Sequence, residues 1–179
     1  VLFRSGIVVV DEAYGAFHHD SFLPWAGEVE NLVVMRTISK IGFAGLRMGY
    51  AAASPSIIGE LAKILPPYNM NQLSLAAAKF SLKHHQIIQQ NIDTLKNDRS
   101  RVMNELLKLN RLEVFPSEAN FITVRVPDAN ELFETLKQNR ILIKKLHGSH
   151  PLLDQCVRIT IGSAAQNDAV LAVIKIGRA

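Results

Sequence analysis

The sequence predicts an α/β fold with a smaller α+β unit at its C-terminal end. Two continuous β-branched apolar runs, at 7–10 and 31–36, are typical of parallel strands buried on both faces. A long stretch rich in Ala, Lys, Gln and Leu follows at 73–109 and contains no Pro or Gly, which is typical of a helix. Short strand and helix patterns then alternate to the end of the chain.

The first 72 residues are predicted to form part of an α/β sheet. Strands are expected at 7–10, 31–36 and 48–53, followed by a helix at 54–65. Ser54 or Ser56 would cap this helix, and Pro66 and Pro67 would end it. Ligands of such sheets bind beyond the carboxyl ends of the strands. The stretches DEAY (11–14) and SK (39–40) follow two of these ends.

A single long helix is predicted over 73–109. Its apolar residues recur at helical spacing, at Ile88, Ile92, Leu95, Val102 and Leu106. We expect it to form a linking segment, 73–110, between a first domain at 1–72 and a last domain at 111–179. Its neighbours His84 and His85 would point about 100° apart, so a shared metal site is not expected.

The last domain is predicted to be α+β. Its strands are expected at 112–115, 120–126, 141–144 and 156–161. Its helices are expected at 130–139 and 164–174, the first capped by Asp128 or Asn130. The single cysteine, Cys156, lies in an apolar strand and is expected to pack as a small buried residue, with a catalytic thiol as the alternative.

Composition and charge exclude several classes of protein. The 179-residue chain is 48% hydrophobic and 20% charged, which fits a globular protein with a core. It has no apolar run of about 18 residues and no signal-peptide pattern, so no membrane partner is expected. The net charge is +4, but the 20 basic residues are scattered, which argues against a nucleic-acid partner. Because VLFRSG leads straight into an apolar strand, we expect the chain to be the C-terminal part of a longer protein.

Five polar residues near the first two strand ends form a candidate cofactor site. Asp11, Tyr14, Ser39, Lys40 and Arg47 supply a carboxylate, a phenol, a hydroxyl, an amine and a guanidinium. Pyridoxal phosphate (PLP) has a ring nitrogen, a ring hydroxyl, an aldehyde and a phosphate that match these groups. The alternatives are that Lys40 is a surface lysine, that Asp11 caps a helix starting at Glu12, and that Tyr14 is core.

The motifs then resemble those of the fold-type I PLP aminotransferases, and within them the histidinol-phosphate aminotransferases. The matching stretches occur in the family's order over nearly the whole chain: VVVDEAYGAF (8–17), RTISKIGFAGLRMGY (36–50), PPYNMNQLSLAAA (66–78), PSEANFITVRV (116–126) and ILIKKLHGSHPLLDQCVRITIG (141–162). The resemblance implies the C-terminal part of such an enzyme, namely a remnant of the large α/β domain plus a small α+β domain.

The resemblance also implies residue roles at the cofactor. Lys40 would hold PLP covalently and move the substrate proton. Asp11 would pair with the pyridine nitrogen, and Tyr14 would bond the ring's phenolic oxygen. Ser39 and Arg47 would hold the phosphate.

Further implications concern the substrate and the assembly. Arg158 would bind the carboxylate of the amino donor or the 2-oxo acid, and Lys144 would lie near a substrate phosphate. The implied reaction is transamination between L-histidinol phosphate and 2-oxoglutarate, in histidine biosynthesis, by a cytoplasmic homodimer.

Part of the family's usual site is absent from this sequence. The family carries a phosphate-binding loop, a ring-stacking aromatic and an asparagine ahead of DEAY, whereas here only six residues precede the first predicted strand. We therefore expect the 179-residue chain alone to be inactive or barely active. The alternatives are a related PLP enzyme, either an aromatic aminotransferase or an amino-acid phosphate decarboxylase, and a non-catalytic remnant.

Overall fold

A computed structural model describes residues 6–176 of the chain. The chain divides into two compact units, Val1–Ile92 and Asp93–Ala179. All of VLFRSG except Gly6 lies outside the described residues, so the prediction that rests on this stretch is not addressed by the structure. None of the helices in 6–176 is both long and apolar enough to cross a membrane.

The first unit contains a three-stranded sheet at the positions that the sequence predicts. Strands β1 (Val8–Asp11), β2 (Leu32–Thr37) and β3 (Gly49–Ala53) lie in the order β1-β2-β3. The β1 and β2 strands are parallel, with Asp11 beside Met35, so both strands leave the sheet at the same edge. The β3 strand is antiparallel to β2, with Gly49 beside Thr37. Because β3 begins beside the end of β2, the 47–49 segment lies at the same edge of the sheet.

The prediction that the first two strands are buried on both faces is correct only in part. Leu32, Val33 and Val34 in β2 are at most 6% exposed. The prediction is wrong for β1, where Val9 is 54% exposed. The reason is position, because β2 lies between two strands whereas β1 is at the edge of the described sheet.

Helix α1 (Pro55–Ile64) follows β3 as predicted. Ser54 occupies its N-cap position, but its side chain does not cap the helix. Its hydroxyl instead donates to the Glu30 carbonyl oxygen at 3.2 Å, which ties the start of α1 to the loop before β2.

The prediction of one continuous helix over 73–109 is wrong. The structure has α2 (Gln72–Lys83) and α3 (His85–Leu107), separated at His84, whose φ and ψ are −108° and 32°. The His84 ring packs on the Phe80 ring beside this break, with centroids 4.5 Å apart. The division into two units falls within α3. The assignment of 73–110 as a separate linking segment stays a prediction.

The second unit contains an antiparallel sheet, the part of α3 from Asp93 onward and two further helices. Its strands are β4 (Glu113–Val114), β5 (Phe121–Arg125), β6 (Lys144–Lys145) and β7 (Cys156–Thr160), in the order β4-β5-β7-β6. Its helices are α4 (Ala129–Gln138), capped by Asp128 as predicted, and α5 (Ala164–Ile176). The β6 strand is shorter and later than the predicted 141–144. Cys156 is fully buried, as expected of a packed residue.

The core of the second unit combines the inward face of the sheet with the helices. Ile122 and Val124 of β5 alternate with less buried neighbours and pack with Val157 and Ile159 of β7. Leu106 of α3 is 0% exposed in the same cluster. The opposite face of β5 and β7 carries Thr123 and Arg158, which lie beside each other across the strands.

Leu106 and Leu107 offer a matched pair for testing this core. We expect Leu106→Ala to lower the free energy of unfolding of the second unit by about 2–5 kcal/mol, because it removes buried methyl groups and leaves a cavity. Leu107 is 56% exposed, and Leu107→Ala should change that energy by less than about 0.5 kcal/mol. Urea denaturation of both variants measures the difference, and equal losses would contradict the packing.

Candidate functional site

Lys40 lies directly beyond the end of β2. It is the middle residue of a 3-10 turn, Ser39–Ile41, which ends at Gly42 with a φ of 107°. Its ammonium nitrogen lies 5.3 Å from the centroid of the Tyr14 ring, within the range of a cation–π contact. The structure therefore brings together two of the residues that the sequence predicts, although they belong to separate loops.

Asp11 is the last residue of β1. One of its carboxylate oxygens accepts a hydrogen bond from the Ala13 amide at 2.9 Å, so the side chain is held across the turn that follows the strand. The alternative that Asp11 caps a helix starting at Glu12 is wrong, since the next helical turn is the 3-10 turn Gly15–Phe17. Tyr14 precedes that turn, and Phe17 within it is 1% exposed.

Ser39 is oriented by Thr37. The Thr37 hydroxyl oxygen lies 2.8 Å from the Ser39 hydroxyl and accepts a hydrogen bond from the Ser39 amide at 3.0 Å. It also lies 3.0 Å from the Met48 carbonyl oxygen. When Thr37 donates to Ser39, the Ser39 hydroxyl keeps its own proton for another acceptor. When Thr37 instead donates to the Met48 carbonyl oxygen, it links the Ser39 turn, from whose amide it still accepts, to the 47–49 segment.

Arg47 lies on that segment in the left-handed region, with a φ of 54° and a ψ of 40°. A residue other than Gly is uncommon there, and such conformations concentrate at functional sites. The side chain is exposed and has no ion pair with any other described residue. Gly49 lets the segment approach β2, because a Cβ at Gly49 would lie 2.8 Å from the Arg36 carbonyl oxygen.

Arg158 and Lys144 lie in the second unit, on neighbouring strands. They are directly opposite each other in the β6–β7 register. Cross-strand partners of this kind have Cβ atoms about 4.5–5.5 Å apart, and like charges in such pairs are destabilising. The sheet thus holds two cations side by side, which favours an anion as their common partner.

The Arg158 guanidinium has no counter-ion among residues 6–176. It stacks on the Phe121 ring, with Cζ 4.9 Å from the centroid. Its Nε is buried and has no hydrogen-bond partner within the described part of the chain. Buried donors are normally paired, so an unpaired one suggests a ligand that completes it.

Arg125 provides a contrast within the same sheet. Its guanidinium also stacks on a phenylalanine, with Cζ 5.2 Å from the Phe115 centroid. It differs in its partners, since it forms an ion pair with Glu113 and donates to the Leu152 carbonyl oxygen at 3.0 Å and to the Asp154 carbonyl oxygen at 3.1 Å. Arg125 is therefore satisfied by the protein itself, whereas Arg158 is not.

A pair that the sequence analysis missed, Glu12 and Arg36, lies beside the first group. Arg36 Nε and Nη2 donate to Glu12 Oε2 at 3.0 and 2.8 Å. Glu12 also accepts hydrogen bonds from the Ser21 hydroxyl at 2.8 Å and the Phe22 amide at 2.6 Å. The sequence does contain a signal for this pair, because Glu12 and Arg36 have opposite charges and lie at the C-terminal ends of two successive predicted strands.

These contacts set the pKa of Glu12 and predict a pH effect. Burial acts to raise this pKa, but the hydrogen bonds from Phe22, Arg36 and Ser21 outweigh it and hold the pKa below its usual value. A lowered folded-state pKa stabilises the fold above the unfolded value, near 4.5, and this stability is lost as the pH falls through the folded value.

We expect Glu12→Gln to lower the free energy of unfolding of the first unit by about 1–3 kcal/mol at pH 7. The difference from the unaltered chain should shrink as the pH falls below about 4.5, because Glu12 of the unfolded chain then takes up a proton, and it should be lost as the pH falls through the lowered folded-state pKa. Urea titrations of both chains between pH 7 and pH 3 measure this difference in free energy and its change with pH. A difference that does not change with pH would contradict the lowered pKa.

The structure thus places the predicted residues in two groups, one in each unit. Asp11, Tyr14, Ser39, Lys40 and Arg47 follow the strand ends of the first unit. Lys144 and Arg158 share one face of the second sheet. Within 6–176 no group of three or more His, Cys, Asp or Glu side chains could hold a metal ion.

The chain is similar in sequence to curated aminotransferases. The histidinol-phosphate aminotransferase of Neisseria meningitidis is 71% identical over 171 residues, which are 96% of this chain and 47% of that protein. The chain therefore spans about half the length of the curated relatives it matches.

Solved structures agree with the predicted fold class. The histidinol-phosphate aminotransferase of Clostridium acetobutylicum matches with a TM-score of 0.85 at 26% identity, covering 94% of this chain and 53% of that one. The enzyme of the same name from Sinorhizobium meliloti, in complex with pyridoxal-5'-phosphate, matches with a TM-score of 0.81 at 25% identity, covering 94% and 49%.

An enzyme of another name also matches. The L-threonine-O-3-phosphate decarboxylase of Porphyromonas gingivalis gives a TM-score of 0.81 at 28% identity, covering 93% of this chain and 53% of that one.

The prediction of part of a fold-type I aminotransferase, with an α/β portion and an α+β portion, is confirmed. A family profile described as aminotransferase class I and II matches residues 3–174. The chain therefore belongs to the aminotransferase class I and II family.

Proposed function

We propose that the chain carries the lysine-bearing and anion-binding parts of a PLP-dependent transaminase acting on L-histidinol phosphate and 2-oxoglutarate. The observation that carries the proposal is the contact of Lys40 with Tyr14 at the ends of β1 and β2, 5.3 Å from amine to ring centroid. The names of the relatives support the substrate, and the PLP complex of the S. meliloti enzyme supports the cofactor.

The donor set of the first unit fits PLP. An amine, a phenol and a carboxylate lie at the carboxyl ends of neighbouring parallel strands, where α/β sheets bind ligands. A hydroxyl and a guanidinium follow on the Ser39 turn and the 47–49 segment, and the Thr37 hydroxyl lies within hydrogen-bond distance of the Ser39 amide and the Met48 carbonyl oxygen. When bound, PLP would supply an aldehyde that accepts an amino group and a ring that withdraws electrons.

Each residue of this group has one proposed task. Lys40 would hold the aldehyde carbon covalently and later move a proton at the substrate Cα. Asp11 would keep the ring nitrogen protonated, and Tyr14 would donate to the phenolic oxygen. The Ser39 hydroxyl would donate a hydrogen bond to the phosphate, and Arg47 would add a charge-assisted hydrogen bond.

The second group would bind the substrate's anion. Arg158 would donate its Nε–H, which has no partner among the described residues, to a carboxylate of the 2-oxo acid. An anion there would also relieve the repulsion between Arg158 and Lys144. Lys144 would contribute a second positive charge for a substrate phosphate.

Isotope transfer tests the proposed reaction. The chain is incubated with PLP, ¹⁵N-labelled L-histidinol phosphate and 2-oxoglutarate, and glutamate is analysed by mass spectrometry. We expect a low yield of ¹⁵N-glutamate that is absent from Lys40→Ala, since the chain spans about half the length of its relatives. If the chain holds PLP at Lys40 but transfers no label, the non-catalytic remnant becomes the better account.

A second candidate is an amino-acid phosphate decarboxylase. The match to the P. gingivalis enzyme favours it, since its identity of 28% is similar to that of the solved aminotransferases. Release of ¹³CO₂ from carboxyl-labelled L-threonine O-3-phosphate, without ¹⁵N transfer to 2-oxoglutarate, would support this candidate over the first. The aromatic aminotransferase alternative is tested by replacing histidinol phosphate with labelled phenylalanine.

The assembly and the cellular setting also belong to the proposal. We propose a cytoplasmic homodimer. In the first unit, Trp25 is 51% exposed and Tyr68 is 95% exposed, so both side chains are accessible to a partner chain. Sedimentation equilibrium of the chain measures its oligomeric state.

A further inference from the structure

We propose that Glu12 and Arg36 are positioning residues of the PLP site. Their ion pair holds the 11–14 segment, with Asp11 and Tyr14, against the strand that leads to Lys40. The inference rests on the proposed function, because it concerns how the same site is arranged.

The pair is well enclosed. The Glu12 side chain is 8% exposed and that of Arg36 is 23% exposed. Both Glu12 oxygens are occupied, Oε1 by the Phe22 amide and Oε2 by Arg36 and Ser21. Arg36 Nη2 also donates to the Ser21 hydroxyl at 2.8 Å. A charge pair with this many mutual hydrogen bonds fixes the geometry of the segments that carry it.

The pair joins the segments that carry the candidate cofactor residues. Glu12 follows Asp11 directly, and its amide donates to the Met35 carbonyl oxygen on β2 at 2.8 Å. Arg36 follows Met35 and precedes Thr37, the residue that orients Ser39. Glu12 is therefore bound to β2 by its main chain and by its side chain, so the Asp11 turn cannot move independently of β2.

The loop that follows also packs on the pair. A Cβ at Gly15 would lie 3.2 Å from Glu12 Cβ and 3.4 Å from Arg36 Nε, so only a residue without a side chain fits without displacement. Gly15 directly follows Tyr14. The pair thus sets the path of the chain on both sides of Tyr14.

A purely structural role and a positioning role predict different local effects. If the pair only stabilises the unit, its loss should speed amide exchange across the whole sheet. If it positions the 11–14 segment, exchange should rise more there than at the centre of β2, where it rises only by the factor that the lower free energy of unfolding gives. PLP affinity should fall as well, because the binding groups would no longer be held in place.

The experiment compares Glu12→Gln with Glu60→Gln by amide hydrogen exchange on the ligand-free chain. Glu60 forms an exposed ion pair with Lys63 in the same unit, with side chains 74% and 68% exposed, and serves as the matched control. We expect the Ala13 and Phe22 amides of Glu12→Gln to exchange at least about tenfold faster relative to Val34. Glu60→Gln should leave these ratios unchanged. An unchanged Ala13 rate, or an equal increase at Val34, would overturn the proposal.

A second arm measures the dissociation constant of PLP for the same variants. We expect it to rise on the order of tenfold in Glu12→Gln and in Arg36→Gln. In the double variant it should rise no further, because both changes remove one interaction. Additive losses of PLP affinity would show that Glu12 and Arg36 act separately. That result would overturn the proposal that they position the segment as a pair. If the unaltered chain binds no PLP, the proposed function fails, while the exchange ratios still decide whether the pair positions the segment.

Discussion

Lys40→Ala should abolish retention of PLP by the chain. Lys40 is the amine placed beyond β2 beside Tyr14, and the proposal makes it the covalent anchor. Without that amine, only the non-covalent contacts remain, and dialysis should remove the cofactor. The measurement is the amount of PLP that stays with the protein when it is incubated with PLP and then dialysed against buffer without PLP.

Lys79→Ala is the control for this prediction. Lys79 is an exposed lysine of α2 in the same unit, so its removal changes the charge equally without touching the candidate site. We expect this variant to retain PLP as the unaltered chain does. Retention of PLP by Lys40→Ala would contradict the assignment of Lys40.

Arg158→Gln should weaken anion binding by the second unit about 10- to 150-fold, the range given by losing a hydrogen bond to a charged group. The glutamine keeps a polar side chain but removes the charge and the buried Nε donor, which has no partner in the part of the chain that the structure describes. The dissociation constants of inorganic phosphate and of 2-oxoglutarate, followed by NMR titration, are the measurements.

Arg125→Gln is the matched control. Arg125 stacks on a phenylalanine as Arg158 does, but it is already paired with Glu113. Its loss should change anion affinity by less than about twofold. If the two variants weaken binding equally, the sheet attracts anions only through its overall charge, and the specific role of Arg158 is wrong.

The sequence was informative where local pattern decides structure. The β-branched runs of β1 and β2 and the cap at Asp128 are local features, and the structure confirms them. The break at His84 was not predictable in this way, because neither Gly nor Pro marks it. The exposure of Val9 depends on which strands lie beside β1, which a single strand pattern does not contain.

The candidate site shows the same division. Residue type and order identified Lys40, Tyr14 and Asp11, and the parallel register of β1 and β2 places their segments at one edge. The Glu12–Arg36 pair joins residues 24 positions apart, so it depends on that register rather than on any local motif. The left-handed conformation of Arg47 was also hidden, because such a φ normally calls for glycine.

Mapping the PLP-modified residue tests the central claim most directly. The chain is incubated with PLP, reduced with borohydride, digested and analysed by mass spectrometry. We predict that the phosphopyridoxyl mass is found on the peptide containing Lys40 and is absent there when Lys40 is replaced by alanine. Modification spread evenly over exposed lysines such as Lys63 and Lys79, or none at Lys40, would contradict the assignment of the site.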